Sequence, residues 1–220
     1  ANPSRVALCR RLGVEVVLVD NVTKAFEEVD RIQREEGKTF VHPFEGPLTA
    51  LGTATVGYEW VHQIDGLEAV ILPIGGGGLA AGISAAIKQL NPSCQIFGVE
   101  PEGANSMTRS FASGKTESIE AVKTIADSLG APFSLPYSFS LCQQFLDEIV
   151  LVNDDQIKST MRLMFDELKL APEPAAAASL SALLGPLRGR LKGKKVGVIA
   201  CGANIDPNSF HQHIHNVTPW

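Results

Sequence analysis

Leu72-Pro73-Ile74-Gly75-Gly76-Gly77-Gly78-Leu79-Ala80-Ala81-Gly82 is the stretch on which the fold turns. An apolar run, Ala69-Val70-Ile71-Leu72, leads into it, and helical apolar spacing follows at Leu79, Ile83, Ala86, Ile87 and Leu90. The pattern reads as a buried strand, a turn without side chains and the start of a helix. Amides that carry no Cβ can curl into a cradle, and the helix dipole adds positive potential there. The sequence therefore predicts an anionic ligand, by preference a phosphate, at this corner.

Outward from the corner the chain alternates. Pro3–Leu12 reads as a helix and Val14–Val19 as a strand ended by Asp20-Asn21. Residues 22–36 place Val22, Ala25, Phe26 and Val29 on one helical face, with Gly37 closing the helix. Thr39–His42 reads as a short strand and Pro47–His62 as a helix. Beyond the corner come strand Gln95–Glu100, helix 104–113 and a loop-rich stretch holding Pro132 and Pro136. Helix 138–147, strand 148–152 and helix 154–169, capped by Asn153-Asp154-Asp155, follow. An Ala-rich helix, 174–187, and strand Lys195–Ala200 complete the pattern. Such alternation predicts an α/β fold whose open parallel sheet is covered by helices on both faces. Ligands of these sheets collect at the carboxyl ends of strands, where Gly75–Gly78 and Cys201-Gly202 fall. A break near residues 43–47 marks a domain boundary.

Composition narrows the function. The 220 residues are 45% hydrophobic and 20% charged, ordinary for a globular protein of one or two domains. A formal charge of −5 and the lack of a long basic run speak against nucleic acid or an acidic membrane surface. Cys9, Cys94, Cys142 and Cys201 show no CxxC spacing and suit a reducing compartment. Residues 69–87 carry no charge, but Pro73 and the glycines break any spanning helix. With no signal peptide at its start, the chain is expected in the cytoplasm.

Other motifs compete for the corner. Gly75, Gly77 and Ala80 fit G-x-G-x-x-A after a strand, and Glu100 closes the next strand, the outline of a dinucleotide site with its ribose-binding acid. Gly114-Lys115-Thr116 lacks both the upstream glycine, where Arg109 stands, and the strand that a phosphate-binding loop of that type needs. His211, His213 and His215 alternate, yet they lie in a polar tail without strand character and are read as an exposed terminus. His42 and His62 are read as structural.

Six segments occur in order: His42-Pro43-Phe44, Pro73 to Leu79, Gly98 to Ala104, Thr124-Ile125-Ala126-Asp127-Ser128, Glu173-Pro174-Ala175-Ala176-Ala177 and Cys201 to Asp206. The series resembles the threonine/serine dehydratase and serine racemase family, fold type II pyridoxal-phosphate enzymes of the tryptophan synthase β-like kind. The resemblance implies that residues 1–43 are the remainder of a small domain and 44–220 a large phosphate-binding domain. It also implies that the amides of Gly75, Gly76, Gly77, Gly78 and Leu79 hold the cofactor phosphate, with Cys201 facing the pyridine nitrogen and Glu173 near the ring. A neutral thiol leaves the ring a moderate electron sink, which suits β-elimination. As readings without the family, Cys201 is a small apolar filler and Glu173 a dipole partner of the helix after it.

Relatives also bind a divalent cation at the positions of Glu100 and the Ala104 carbonyl. Ser106 replaces a further carboxylate here, so charge that a hard cation needs is lost. Thr53-Ala54 stands where relatives favour Gln-Gly, and Ala176 where Gly is usual; both add bulk. The family's Ser-x-Lys-x-Arg motif, with the Schiff-base lysine, and its Ser-x-Gly-Asn-His loop belong before the region where this chain begins, and neither occurs in it. Lys24, Lys88, Lys115, Lys123, Lys158 and Lys169 stand in other contexts. The fold is thus expected to be incomplete at the N-terminus. The parent protein is expected to be an L-threonine or L-serine ammonia-lyase and a homodimer acting on a small amino acid, and this stretch alone inactive. Alternatives are serine racemase-like activity, a lysine-free phosphate-ligand-binding protein and, more remotely, an NAD(P)-dependent oxidoreductase.

Overall fold

The computed structural model describes residues 3–220 and divides into two units, Ala1–His42 and Pro43–Trp220. Ala1, Asn2 and the Val22 side chain, which entered the reading above, lie outside the described residues. In the first unit are helices α1 (Pro3–Arg11) and α2 (Val22–Glu36). Asn21 caps α2 by accepting from the Lys24 amide at 2.9 Å, and Gly37 ends it in the left-handed region at φ 66°. Phe26 stacks on His42 with ring centroids 5.5 Å apart. The strands expected at Val14–Val19 and Thr39–His42 do not form. A strand is completed by its ladder, and neither segment pairs with another among the described residues. Val14, Val17, Leu18 and Val19 are left exposed.

The second unit runs α3 (Pro47–Gln63), β1 (Ala69–Pro73), α4 (Gly78–Leu90), β2 (Gln95–Pro101) and α5 (Ser106–Ser113). After a 3-10 turn at Asp127–Leu129 come α6 (Pro136–Phe145), β3 (Glu148–Val152), α7 (Asp154–Leu168), α8 (Pro174–Leu184), β4 (Val196–Val198) and α9 (Pro207–Ile214). The four strands are parallel in the order β3-β2-β1-β4, with Ile71 level with Phe97 on one side and Val198 on the other. Asn153 and Gln156 form the capping box that starts α7. His211 and His215 are exposed, as read from the sequence, but the segment is not an irregular tail: Asp206 accepts from the Asn208 and Ser209 amides and starts α9, so His211 and His213 are helical.

Side-chain alternation on β1 builds two cores. Ala69 and Ile71 join Phe97, Val99, Ile157, Met161, Ala177, Ala178 and Ala182 on the side of α7 and α8. Val70 and Leu72 join Ile96, Ile83, Ile87, Phe139 and Cys142 on the side of α4 and α6. Each fully buried Ile, Leu or Val on these strands contributes about 1.5–3 kcal/mol, which is why the sheet needs helices on both faces. Among the described residues no helix is long and apolar enough to cross a membrane.

Candidate functional site

The carboxyl end of β1 delivers the chain to the glycine corner. Ile74 still donates to the Val99 carbonyl at 2.8 Å, and the ladder then stops. Gly77 caps α4 at φ 97°, a conformation that a side chain disfavours. The Ala81 amide returns to the Gly77 carbonyl at 2.8 Å, so helical bonding begins there. Among the described residues the amides of Gly75, Gly76, Gly77, Gly78 and Leu79 have no protein acceptor. Gly76, Gly77 and Gly78 are buried. Buried amides without an acceptor cost stability unless something else accepts from them, and an oxyanion does so best.

Phe44 closes one wall of this corner. A Cβ on Gly76 would fall 2.1 Å from the Phe44 ring, and one on Gly78 would fall 2.5 Å from the Phe44 carbonyl oxygen. The backbone of Ser128-Leu129 lies against Gly75. Thr53, which the sequence marked only as added bulk, donates its hydroxyl to the Gly78 carbonyl at 2.9 Å. Sequence reasoning missed Glu45, whose carboxylate accepts from the Tyr137 and Ser138 amides at 2.7 and 3.0 Å. No local signal could have found that pair, since more than 90 positions separate the partners.

Cys201 and Glu173 come together one strand away. β4 is the neighbour of β1, so Cys201 leaves the sheet at the same edge as the glycines. The Glu173 amide donates to the Gly202 carbonyl at 3.1 Å, and the Glu173 side chain is buried. Cys201 lies on a cavity of about 240 Å³ whose walls include Met164, Leu170, Pro172 and Ala203. Cys201 is exposed on the cavity side, yet the protein packed around its thiol, and then the Glu173 carboxylate, raise it above its usual value, so it stays protonated at neutral pH.

Glu100 has a structural task. Its Oε1 accepts from the Met107 amide at 2.9 Å, and its Oε2 from the Thr108 amide and hydroxyl at 2.7 and 2.5 Å. Fully buried, the carboxyl is pushed up to about 7, against the pull of these donors. Glu100→Ala strands two amides at the start of α5 and is expected to cost about 2–3 kcal/mol. Glu100→Gln, which keeps one acceptor, is expected to cost less than half of that in urea titration of the full-length protein.

Five of the lysines singled out above have local partners. Lys24 pairs with Asp20, Lys88 with Asp147, Lys115 with Glu117 and Lys158 with Asp155, while Lys169 reaches the Asp166 carbonyl. Among the described residues no three His, Cys, Asp or Glu side chains converge as a metal set.

A parallel sheet with an amide-lined corner at the end of an inner strand is a setting for the phosphate of a bound cofactor, and the sequence comparison says which class of protein this one is. The chain belongs to the family described as pyridoxal-phosphate dependent enzyme, whose model matches residues 1–202. It is 54% identical over 214 residues to phenylserine dehydratase of Ralstonia pickettii, covering 97% of this chain and 66% of that protein. It is 36% identical over 213 residues to L-threonine ammonia-lyase of Thermotoga maritima, covering 96% of this chain and 53% of that protein. The chain therefore spans between about half and two thirds of the length of these relatives. Among solved structures, maize serine racemase superimposes with a TM-score of 0.90 at 31% identity, covering 98% of this chain and 67% of the other. Membership of this family sets aside the nicotinamide reading of Gly75, Gly77 and Ala80.

Proposed function

We propose that the protein is a pyridoxal-phosphate-dependent ammonia-lyase that converts a 3-hydroxy amino acid to a 2-oxo acid and ammonia. The observation that carries the reading is the row of acceptor-free amides from Gly75 to Leu79 at the carboxyl edge of the sheet. The names of the Ralstonia and Thermotoga relatives support the reaction, and the former extends the substrate class from threonine and serine to an aryl-substituted serine. When bound, pyridoxal phosphate supplies an electron sink for the substrate α-carbon.

The residues of this chain would bind and orient. The amides of Gly75, Gly76, Gly77, Gly78 and Leu79 hold the phosphate, and the α4 dipole adds to their field. Cys201, kept as a neutral thiol, would hydrogen-bond the ring nitrogen of the bound cofactor without stabilising its protonated form, with the buried Glu173 close to the thiol. Proton transfer at the α-carbon is assigned to no residue of this chain. We place the small-domain remainder at residues 1–43 and the phosphate-binding domain at 44–220, in a cytoplasmic homodimer. The donors at Glu100 and Ala104 do not fit a divalent cation, which seeks six or more oxygens, because the one carboxylate is committed to α5. No step is routed through a metal.

Full-length protein loaded with pyridoxal phosphate is expected to release ammonia and the matching 2-oxo acid in equal amounts from threonine, serine or phenylserine. Accumulation of the D-amino acid without ammonia would instead establish racemisation. Neither product from any of the three overturns the proposal.

A further inference from the structure

We infer that Glu45 is the positioning residue of the phosphate corner: it fastens the Phe44 wall to the start of α6 and so holds the glycine amides in their binding arrangement. The inference rests on the phosphate reading proposed above.

Four contacts carry it. The half-buried Glu45 spreads its two carboxylate oxygens over the first-turn amides of α6, Tyr137 at 2.7 Å and Ser138 at 3.0 Å. Such a cap is charge-assisted and favoured by the helix dipole. From the same turn, Ser138 Oγ donates to the Phe44 carbonyl at 2.6 Å. That carbonyl and the Phe44 ring are the groups packed against Gly78 and Gly76. One turn further along α6, Cys142 Sγ lies 3.7 Å from the Gly77 carbonyl. Helix α6 therefore braces the corner twice, and Glu45 is the charged group that ties the Phe44 strap to it.

Glu45 itself needs no contact with the ligand for this role. Losing its carboxylate frees the Phe44-Glu45 segment from α6, the wall over Gly76 and Gly78 loosens, and the acceptor-free amides beneath it shift. The cost falls on the ligand's phosphate and spares the part of a ligand that carries none.

The test compares two ligands on full-length protein, pyridoxal phosphate and pyridoxal, by equilibrium dialysis. Glu45→Ala is expected to weaken pyridoxal phosphate about tenfold, the value of one charge-assisted hydrogen bond, and to change pyridoxal by less than about twofold. Glu45→Gln, which still accepts one amide, is expected to recover part of the loss. Ser138→Ala, which removes the bond to Phe44 but leaves the cap, is expected to lower the preference for pyridoxal phosphate over pyridoxal in the same sense, and it serves if Glu45→Ala fails to fold. A phosphorus resonance of the bound cofactor that moves in the variants supports the inference. Equal weakening of both ligands, or no change in either, overturns it and leaves Glu45 a simple helix cap. If the unaltered protein itself binds pyridoxal phosphate no more tightly than pyridoxal, the phosphate reading fails instead.

Discussion

Gly76→Ala is expected to cut the affinity of the full-length protein for pyridoxal phosphate on the order of 100-fold, because it must displace either Phe44 or the corner. The new methyl would lie 2.1 Å from both Cγ and Cδ2 of the Phe44 ring, far inside contact distance. A planar ring has no flexible end to swing aside, and its backbone is pinned through Ser138. A shift of even an ångström misaims the neighbouring amides, and each charge-assisted bond lost removes about 1.5–3 kcal/mol. Adding Phe44→Ala to Gly76→Ala restores space and is expected to recover about tenfold of the loss. Equilibrium dialysis reads both. Unchanged affinity in the single variant would dissociate the corner from cofactor binding.

The second large effect belongs to the seam between α3 and α4. A Cβ on Gly82 would fall 2.1 Å from Thr53 Oγ1 and 2.2 Å from the Ala50 carbonyl oxygen. Alanine gains up to about 1 kcal/mol of helix propensity over glycine, which works in favour of the variant. The collision with α3 backbone outweighs that gain, so Gly82→Ala is expected to lose about 2–3 kcal/mol and lower the melting temperature by about 5–10 °C. Trimming the partner in a Gly82→Ala, Thr53→Ala pair rescues little, since the Ala50 carbonyl remains in place. A raised melting temperature, as propensity alone would give, would show that the two helices do not meet so closely.

Much of the second unit was legible because its signals are local. Four adjacent glycines after Ala69-Val70-Ile71-Leu72 leave few alternatives to a strand, a turn and a helix, and Asn153 announces α7 through a partner three residues away. Helix ends shifted by a few residues: the 138–147 expectation became Pro136–Phe145, and 174–187 became Pro174–Leu184 followed by turns. Val14–Val19 was misread because apolar β-branched composition describes a strand's side chains and says nothing of its partner. Glu100 drew the eye as a ribose or metal ligand, whereas its donors are Met107 and Thr108, in the helix that begins six residues later. The Glu45 cap depends on a meeting of distant segments, which no window of sequence contains.

One consequence follows from the place of β1 in the sheet. It is hydrogen-bonded to β2 along Ala69–Pro73 and to β4 along Ala69–Ile71, so it is flanked on both sides. Local opening is drawn from the least protected parts of a fold, and this strand is among the best protected. Traffic of any anion through the corner is therefore expected to keep the tempo of the turn at Asp127–Leu129 and of the ties that hold Phe44-Glu45 to α6, while the floor beneath it stays still.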